Sequence, residues 1–122
     1  MTPKILIVED EWLLAEYYRV IIEKLGYKVC EFAADAEAAV RIARRQDPDL
    51  ILMDFWLKGE KDGVDAAGKI LERQTIPTVY ITAANDPATL RRIASDHAAE
   101  ILLKPVLARQ LEQLLAKHCP LP

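Results

Sequence analysis

The sequence predicts a single α/β domain, in which helices pack on both faces of a parallel sheet. A chain of 122 residues has the length of one ordinary domain. Five apolar runs alternate along it with helical patterns, and strands that alternate with helices form a parallel sheet covered on both faces. There is no internal repeat, low-complexity segment or interdomain linker in the sequence, so we expect residues 1–122 to form one domain.

Each apolar run predicts one strand. The first run is short and branched and lacks alternation, the pattern of a strand that is buried on both faces. Pro77 leads directly into the fourth run. In chain order, the predicted strands are Lys4–Val8, Tyr27–Phe32, Leu50–Phe55, Thr78–Thr82 and Glu100–Leu103.

A helix is predicted after each strand from the spacing of apolar residues and from residues that favour helix ends. Gly26 follows the first helix, and Asp35 is a candidate N-cap for the second. Asp47-Pro48 ends the second helix, and Asn85-Asp86-Pro87 has the pattern of an N-cap and first turn for the fourth. The predicted helices are Glu11–Leu25, Asp35–Arg45, Val64–Arg73, Asn85–Ser95 and Val106–Lys117.

Two of these helices carry an apolar stripe that we expect to face the core. On the first helix the stripe consists of Leu14, Tyr18, Ile21 and Leu25. On the last helix it consists of Leu107, Leu111, Leu114 and Leu115.

Charge and composition argue against some classes of function. Hydrophobic residues are 52% of the chain and charged residues 29%, a balance that can build a core and keep the protein in solution. The formal net charge of -3 argues against general nucleic-acid binding, which needs a basic face. We expect the two basic clusters to be solvated helix faces; they are Arg41, Arg44 and Arg45, and Arg91 and Arg92.

The absence of targeting signals and the use of cysteine predict a cytoplasmic protein. No apolar stretch approaches the roughly 20 residues that span a bilayer, and no signal peptide precedes the first strand. Cys30 and Cys119 lack the spacing of metal ligands, so we expect both to be reduced thiols.

Polar side chains follow four of the five predicted strands. Glu9 and Asp10 come directly after the first strand, Asp54 closes the apolar run of the third, and Thr82 and Lys104 close the fourth and fifth. In an open parallel sheet these strand ends converge on one crevice, where ligands bind. We therefore expect the five side chains to lie together.

These residue types fit phosphoryl transfer. Clustered carboxylates repel one another and raise one another's proton affinity, and a hard divalent cation such as Mg²⁺ stabilises them. A carboxylate such as Asp54 can act as a nucleophile, as in aspartyl-phosphate chemistry. Lys104 can hold a phosphoryl oxygen as a point charge, and the small Ala83 after Thr82 leaves room for that group.

Each of these residues alone has a simpler explanation. Glu9-Asp10-Glu11 can be a polar turn at a helix N-terminus, where negative charge is favoured. Thr82 can bond locally at the end of a strand, and Lys104-Pro105 can be a turn. Only the combination, in the order first, third, fourth and fifth strand, indicates a phosphoryl-transfer site.

The chain resembles the response-regulator receiver domains of two-component signalling over nearly its whole length. The resemblance lies in the order and spacing of short segments that surround the candidate site. The matching segments are Ile5–Glu11, Asp49–Asp54, Asp62-Gly63, Pro77–Ala83 and Leu103–Pro105.

The resemblance implies a doubly wound, flavodoxin-like sheet with strand order 2-1-3-4-5. It implies that Asp54 accepts a phosphoryl group from a phosphohistidine of a sensor histidine kinase or a phosphotransfer protein. Mg²⁺ would be bound by Asp10, Asp54 and the backbone carbonyl of Trp56, while Glu9 would act mainly through a bound water. Such a protein catalyses only its own phosphorylation and dephosphorylation and does not turn over an external substrate.

The resemblance also assigns roles to the other strand-end residues. Lys104 would pair with Asp54 before transfer and with the phosphoryl group after it. Thr82 would bond a phosphoryl oxygen and move inward on activation, next to Ala83. The Lys104-Pro105 bond would be cis, which proline makes accessible.

Two positions, Ile101 and His97, depart from the pattern of the family. Ile101 stands where the family has a switch aromatic, so no ring can swing there, and the sequence does not predict the usual coupling between the phosphoryl group and the fourth helix. His97 replaces a small glycine, and we expect it to be a surface histidine. Trp56, two residues after Asp54, is bulky, and we hypothesise that it shields the acyl phosphate from water; a partly exposed loop aromatic is the alternative.

The first helix predicts a partner surface. Four apolar residues lie outside its core stripe, namely Trp12, Leu13, Tyr17 and Val20. Receiver domains commonly dock their kinase through this helix and the loop after the fifth strand. We expect a docking patch that contains Leu13, Tyr17 and Pro105; equally, Leu13 and Tyr17 can simply widen the core stripe.

Two functions follow from the sequence. The first is a stand-alone receiver without an output domain, which signals to an unidentified protein target; a fragment of a larger regulator would look the same. The second is a fixed binding module that has lost switching, which Ile101 favours. A hydrolase would need an acid in place of Trp56. A homodimer through the fourth and fifth helices is compatible with the sequence, which does not predict an oligomeric state.

Overall fold

The computed structural model describes residues 2–83, 86–94 and 98–122, and it contains a five-stranded parallel sheet between two layers of helices. The strand order is β2-β1-β3-β4-β5, which confirms the predicted topology. The strands are β1 Lys4–Val8, β2 Lys28–Val29, β3 Leu50–Asp54, β4 Thr78–Thr82 and β5 Glu100–Leu103. The helices are α1 Trp12–Lys24, α2 Ala36–Gln46, α3 Gly63–Leu71, α4 Pro87–Ala94 and α5 Ala108–His118.

The sheet separates two hydrophobic cores. Successive residues of a strand point to opposite faces, so Leu6 and Val8 of β1 join one core, and Ile5 and Ile7 join the other. The first core is completed by α2, α3 and Ile93 of α4, and the second by α1 and α5. Because both faces are covered, the central strands β3 and β4 are buried along their whole length.

The β2 strand is shorter than the sequence predicts. It was expected over Tyr27–Phe32, whereas the ladder with β1 covers only Lys28 and Val29. The chain still runs beside β1, because the Cys30 amide donates to the Ile5 carbonyl at 2.9 Å. This edge segment therefore continues the sheet without regular pairing.

The helix ends agree with the predictions in some places and differ in others. Asp35 caps α2 as predicted, since its Oδ1 accepts from the Ala38 amide at 2.8 Å. The α5 helix begins two residues after the predicted Val106, because Leu107 has an extended backbone and forms the N-cap. Leu107 is exposed, so its assignment to the core stripe was wrong. The predicted ends of the fourth helix, Asn85 and Ser95, lie outside the described residues.

The core face of α1 is rotated relative to the predicted stripe. Ala15, Tyr18 and Ile22 are the buried residues, while Leu14 and Ile21 are only partly buried at its border. Helical side chains lean towards the N-terminus, which shifts the covered surface by about one position. In the described part of the chain, no helix has the length and apolar character that crossing a bilayer requires. Both cysteines are buried free thiols.

Candidate functional site

The sheet register brings the predicted site residues to one edge. Val8 of β1 pairs with Met53 of β3, so Glu9 and Asp54, the next residues, leave the sheet side by side. Glu9 is 4% exposed and Asp54 is 5% exposed, so both carboxyl groups are buried. Thr82 is fully buried at the end of β4, one residue beyond the partner of Asp54. The convergence expected from the sequence is therefore present.

Three carboxyl groups form the acidic part of the site. Oxygens of Glu9, Asp10 and Asp54 lie within 4.8 Å of one another. The Oε2 of Glu9 accepts from the Glu11 amide at 3.2 Å, while its buried Oε1 faces the Lys104 ammonium. Three clustered carboxyl groups form a hard oxygen donor set, which fits Mg²⁺.

Lys104 is the cation that faces these acids. Its Nζ lies 3.3 Å from Asp54 Oδ2 and 3.2 Å from Glu9 Oε1. Its backbone amide donates to the Thr82 carbonyl at 2.9 Å, which joins β5 to β4 at the site. The Lys104-Pro105 peptide bond is cis, as the resemblance implied.

Burial and mutual repulsion control the protonation of the acids. Burial, followed by the Asp54 carboxylate, raises the pKa of Glu9 from 4.5 to about 7. Burial also raises the pKa of Asp54, and the Lys104 ammonium offsets this only in part. Burial disfavours the charged form of Lys104, but the carboxylates of Asp54 and Glu9 outweigh it and raise the Lys104 pKa. Glu9 is therefore protonated below about pH 7, and a bound cation would displace that proton.

The start of α3 packs closely against the backbone of Asp54 and Phe55. Gly63, the first residue of α3, donates its amide to the Phe55 carbonyl at 2.8 Å. A Cβ at Gly63 would lie 2.4 Å from the Asp54 carbonyl oxygen, so no side chain fits there. In the sequence, Gly63 belongs to one of the segments that match the family, but no role could be assigned to it there. Only the tertiary contact with Asp54 shows that this position has no room for a side chain.

Trp56 and Ala83, which closely follow Asp54 and Thr82 in the chain, are both exposed. The Trp56 side chain is 59% exposed and packs edge to face on Phe55, with ring centroids 4.8 Å apart. Ala83 is exposed directly after the buried Thr82. The roles predicted for Trp56 and Ala83 in magnesium and phosphoryl binding stay predictions.

The position of the family's switch aromatic is occupied by a hydrocarbon. Ile101 of β5 is partly buried and packs against the core that also contains Phe55 and Ile93. An isoleucine side chain offers neither a ring nor a hydroxyl that could change partners. His97, the other departure near this strand, lies outside the described residues.

The residues of the predicted docking patch are exposed. Leu13 is 73% exposed, and Tyr17 is exposed while its hydroxyl donates to the Val106 carbonyl at 3.2 Å. Pro105 is also exposed. Leu13 and Tyr17 are therefore outside the core. A shallow groove of about 480 Å³ runs between α1 and the loop before α5, and it is lined by Leu14, Tyr17, Tyr18, Lys104, Pro105, Val106 and Leu107.

One basic residue forms a specific contact that the sequence did not predict. Arg92 of α4 was expected on a solvated face, but its guanidinium pairs with Asp62 and Asp65 at the start of α3. The two partners lie 30 and 27 positions away along the chain. No local sequence signal joins residues that far apart.

Curated relatives of the chain are bacterial response regulators. The transcriptional regulatory protein PdtaR of Mycobacterium tuberculosis is 32% identical over 102 residues, which are 84% of this chain and 49% of PdtaR. The probable C4-dicarboxylate response regulator DctR of Bacillus subtilis is 26% identical over 117 residues, which are 94% of this chain and 51% of DctR. The chain thus spans about half the length of these relatives.

Solved structures of receiver domains share the fold. The signal receiver domain of a modulated diguanylate cyclase from Desulfovibrio desulfuricans G20 has a TM-score of 0.89 and 35% identity, and the match covers 97% of this chain and 94% of that one. The receiver domain of a sensor histidine kinase from Pseudomonas aeruginosa PAO1 has a TM-score of 0.86 and 29% identity, with coverage of 97% and 98%. That structure has a magnesium ion coordinated in its active-site cleft.

The sequence profile of the response regulator receiver domain matches residues 5–116, which include strands β2 to β5, all of β1 except Lys4, and the acidic cluster. Fold, site and profile agree, and this chain belongs to the response regulator receiver domain family.

Proposed function

We propose that this protein is a phosphorylation-dependent signalling receiver in which Asp54 accepts a phosphoryl group from a phosphohistidine of a sensor histidine kinase or phosphotransfer protein. The observation that supports it most directly is the placement of Asp54. Its carboxyl group is buried at the sheet edge, beside Glu9 and Asp10, with the Lys104 ammonium 3.3 Å away. A buried nucleophile between acids and a cation suits phosphoryl transfer, which depends on positioning and charge.

The proposed transfer is a nucleophilic displacement at the phosphorus atom. An oxygen of ionised Asp54 attacks the phosphorus atom, and the new P–O bond forms as the P–N bond to the donor histidine breaks. The imidazole leaves with that electron pair. Lys104 favours the ionised Asp54 before the reaction, and its ammonium can then follow the charge to a phosphoryl oxygen.

The acidic cluster is the proposed magnesium site. Asp10, Asp54 and the Trp56 backbone carbonyl would hold Mg²⁺, with Glu9 acting mainly through a bound water. The bound ion would supply positive charge to the phosphoryl oxygens. We assign Thr82 as the hydroxyl that bonds a phosphoryl oxygen and the exposed Ala83 as the neighbour that leaves space for it.

The test is direct chemical phosphorylation. Purified protein is incubated with Mg²⁺ and acetyl phosphate, and Asp54→Ala serves as the control. We expect an acid-stable, base-labile phosphoryl adduct on the native chain and none on the variant. Absence of an adduct on the native chain would refute the proposal.

A second candidate is a fixed binding module, which the presence of Ile101 favours. Such a module would keep the receiver fold as a surface without responding to phosphorylation. It would show no adduct, or an adduct that leaves the amide spectrum outside the site unchanged. Rapid hydrolysis of an unrelated phosphate ester would instead identify a hydrolase, although Trp56 stands where that enzyme class would need a second acid.

The docking patch of Leu13, Tyr17 and Pro105 is our proposal for the surface that meets the phosphodonor protein. The exposure of all three residues beside the groove next to Lys104 supports it. Leu13→Glu should slow transfer from the donor protein but leave phosphorylation by acetyl phosphate unchanged. Equal transfer rates for the variant and the native chain would exclude the patch.

The remaining proposals concern lifetime and context. Trp56 is proposed to shield the acyl phosphate from water, so Trp56→Asn should shorten the half-life of the acyl phosphate; an unchanged or longer half-life would refute this.

We propose a cytoplasmic location, which the two free buried cysteines support. We propose that the phosphorylated protein signals by binding an unidentified protein target. A homodimer through α4 and α5 is compatible with this proposal, and analytical ultracentrifugation would test it.

A further inference from the structure

Helix α4 is joined to the start of helix α3 by a branched ion pair. The Nε of Arg92 donates to Asp62 Oδ2 at 2.9 Å, and its Nη2 donates to Asp62 Oδ1 at 3.2 Å. The same Nη2 donates to Asp65 Oδ1 at 3.0 Å. One planar guanidinium thus binds two carboxylates, a geometry that fixes its orientation and that lysine cannot reproduce.

The two carboxylates also form the N-terminal cap of α3. Asp62 Oδ1 accepts from the Asp65 amide at 2.9 Å, and Asp65 Oδ2 accepts from the Asp62 amide at 2.9 Å. Although burial raises the pKa of Asp62, the hydrogen bonds from Arg92 and the Asp65 amide outweigh it and lower that pKa. The Asp62 carboxylate is therefore held in its charged form by Arg92, which makes Arg92 part of the cap.

The capped end of α3 rests on the backbone of the phosphoacceptor. Gly63 follows Asp62 directly, donates to the Phe55 carbonyl at 2.8 Å and leaves no room for a Cβ beside the Asp54 carbonyl. Movement of the cap would therefore displace the peptide between Asp54 and Phe55. Trp56, whose carbonyl is a proposed magnesium ligand, is the next residue.

We propose that Arg92 is a positioning residue for phosphoryl transfer at Asp54. By tying the α3 cap to α4, it holds the backbone that carries Asp54 and Trp56 in place. This inference rests on the proposed function, since it concerns the same site. Arg92 is thereby added to the residues of the site, although it lies on α4 and belongs neither to the strand ends nor to the segments that match the family.

The contact also has a consequence for signalling. Because Arg92 belongs to α4, a change at the site and a change on α4 affect each other through the same ion pair, and such coupling is reciprocal. Ile101 cannot provide an aromatic switch between these regions. The Arg92 bridge provides a connection that needs no aromatic residue on β5.

The expected effect is moderate. The Arg92 side chain is 45% exposed, so solvent screens the pair, while its bidentate geometry retains specificity. We expect Arg92→Gln to slow adduct formation by about 3- to 10-fold at fixed Mg²⁺ and acetyl phosphate.

The matched control is Arg91→Gln, which removes the same charge from the adjacent residue of α4. Its rate should stay within about twofold of the native rate. Asp62→Asn removes the carboxylate that binds Arg92 but keeps a good N-cap residue. Combined with Arg92→Gln, it should slow the reaction no further than Arg92→Gln alone, because that change already removes the contact between Arg92 and Asp62.

A second readout separates positioning from general stability and from the proposed function. Amide NMR signals of Phe55 and Trp56 in the unphosphorylated protein should shift in Arg92→Gln and not in Arg91→Gln. If the native chain forms no adduct, the proposed function fails, and these signals still show whether Arg92 holds the backbone of Phe55 and Trp56 in place. Equal adduct rates for the two variants, or unshifted Phe55 and Trp56 signals in Arg92→Gln, would overturn the inference.

Discussion

The two halves of the site differ in how they are held. At the ends of β1 and β3, Glu9 and Asp54 are almost completely buried and share the Lys104 ammonium at 3.2 and 3.3 Å. At β4, α4 and β5, the family's switch aromatic is replaced by a partly buried isoleucine, Ile101, and α4 is linked to α3 by the exposed Arg92 ion pair. We call the first the acidic half and the second the output half.

The proposed function accounts for this difference. Phosphoryl transfer needs several charges within a few ångströms of each other, so the acidic half has little freedom to vary. Transmission to a surface needs only a structural element whose position depends on the site, and different side chains can provide that. The acidic half therefore keeps the family pattern, while the output half can depart from it.

The largest expected effect comes from removing the shared cation of the acidic half. Lys104→Gln leaves two buried carboxyl groups without a counter-charge and removes the proposed contact to the phosphoryl group. We expect adduct formation to fall by about 100-fold or more, measured by mass spectrometry over time. The exposed Lys69→Gln serves as the control and should leave the rate unchanged, and a Lys104→Gln rate near the native one would contradict the role of the acidic half.

The next largest effect is expected on protein stability when Gly63, beside the Asp54 backbone, is replaced. Gly63→Ala places a methyl group 2.4 Å from the Asp54 carbonyl oxygen, so the backbone must move. The free energy of unfolding should fall by about 1–3 kcal/mol in urea denaturation.

Gly68→Ala is the matched control for this change, because open space surrounds an added Cβ at Gly68 of the same helix. It should stabilise the protein by about 0.5–1 kcal/mol, the usual gain from alanine over glycine in a helix. Equal effects at Gly63 and Gly68 would mean that the close contact with Asp54 has no energetic importance.

The acidic half should also make magnesium binding depend on pH. The pKa of Glu9 is raised to about 7 from 4.5, so the folded protein without metal holds an extra proton in this window and loses stability as pH rises through it. Magnesium must displace that proton, so its affinity should increase about tenfold from pH 6 to pH 8.

Calorimetric titration with Mg²⁺ at the two pH values measures this increase and the released protons. Glu9→Gln carries no titrating group and should show a much flatter dependence. An affinity that is constant or falls with pH in the native chain would contradict the protonation assigned to Glu9.

The smallest effect is expected in the output half. Ile101→Tyr restores an aromatic residue on β5 without touching the acids. Adduct formation should stay within about twofold of the native rate, because Ile101 packs in the core beside Phe55 and Ile93 rather than among the charges. A change of tenfold or more would show that the two halves are not separable in this way.

The strands and the acidic half were predictable from the sequence to a large extent. Apolar runs marked all five strands, and β1, β4 and β5 have the predicted limits. Parallel strands must end at one edge, so the meeting of Glu9, Asp54 and Lys104 followed from chain order alone. The regular ladder of β2 was overestimated, because an edge segment can remain beside its neighbour without regular pairing.

Contacts between helices were not predictable in the same way. The exposure of Leu107, the rotated core face of α1 and the Arg92 bridge depend on how each helix sits on the sheet. Apolar spacing specifies which residues share a helix face but not which neighbouring helix that face will meet.

The sequence by itself therefore determined the order of strands and helices, the family and the charges that meet at Asp54. The reason is that burial patterns are local and parallel topology then dictates where strand ends lie. Only the tertiary structure decided that Gly63 must be small beside Asp54 and that Arg92 reaches Asp62 and Asp65. Those contacts join residues distant in the chain, and their geometry arises from packing, which no local pattern encodes.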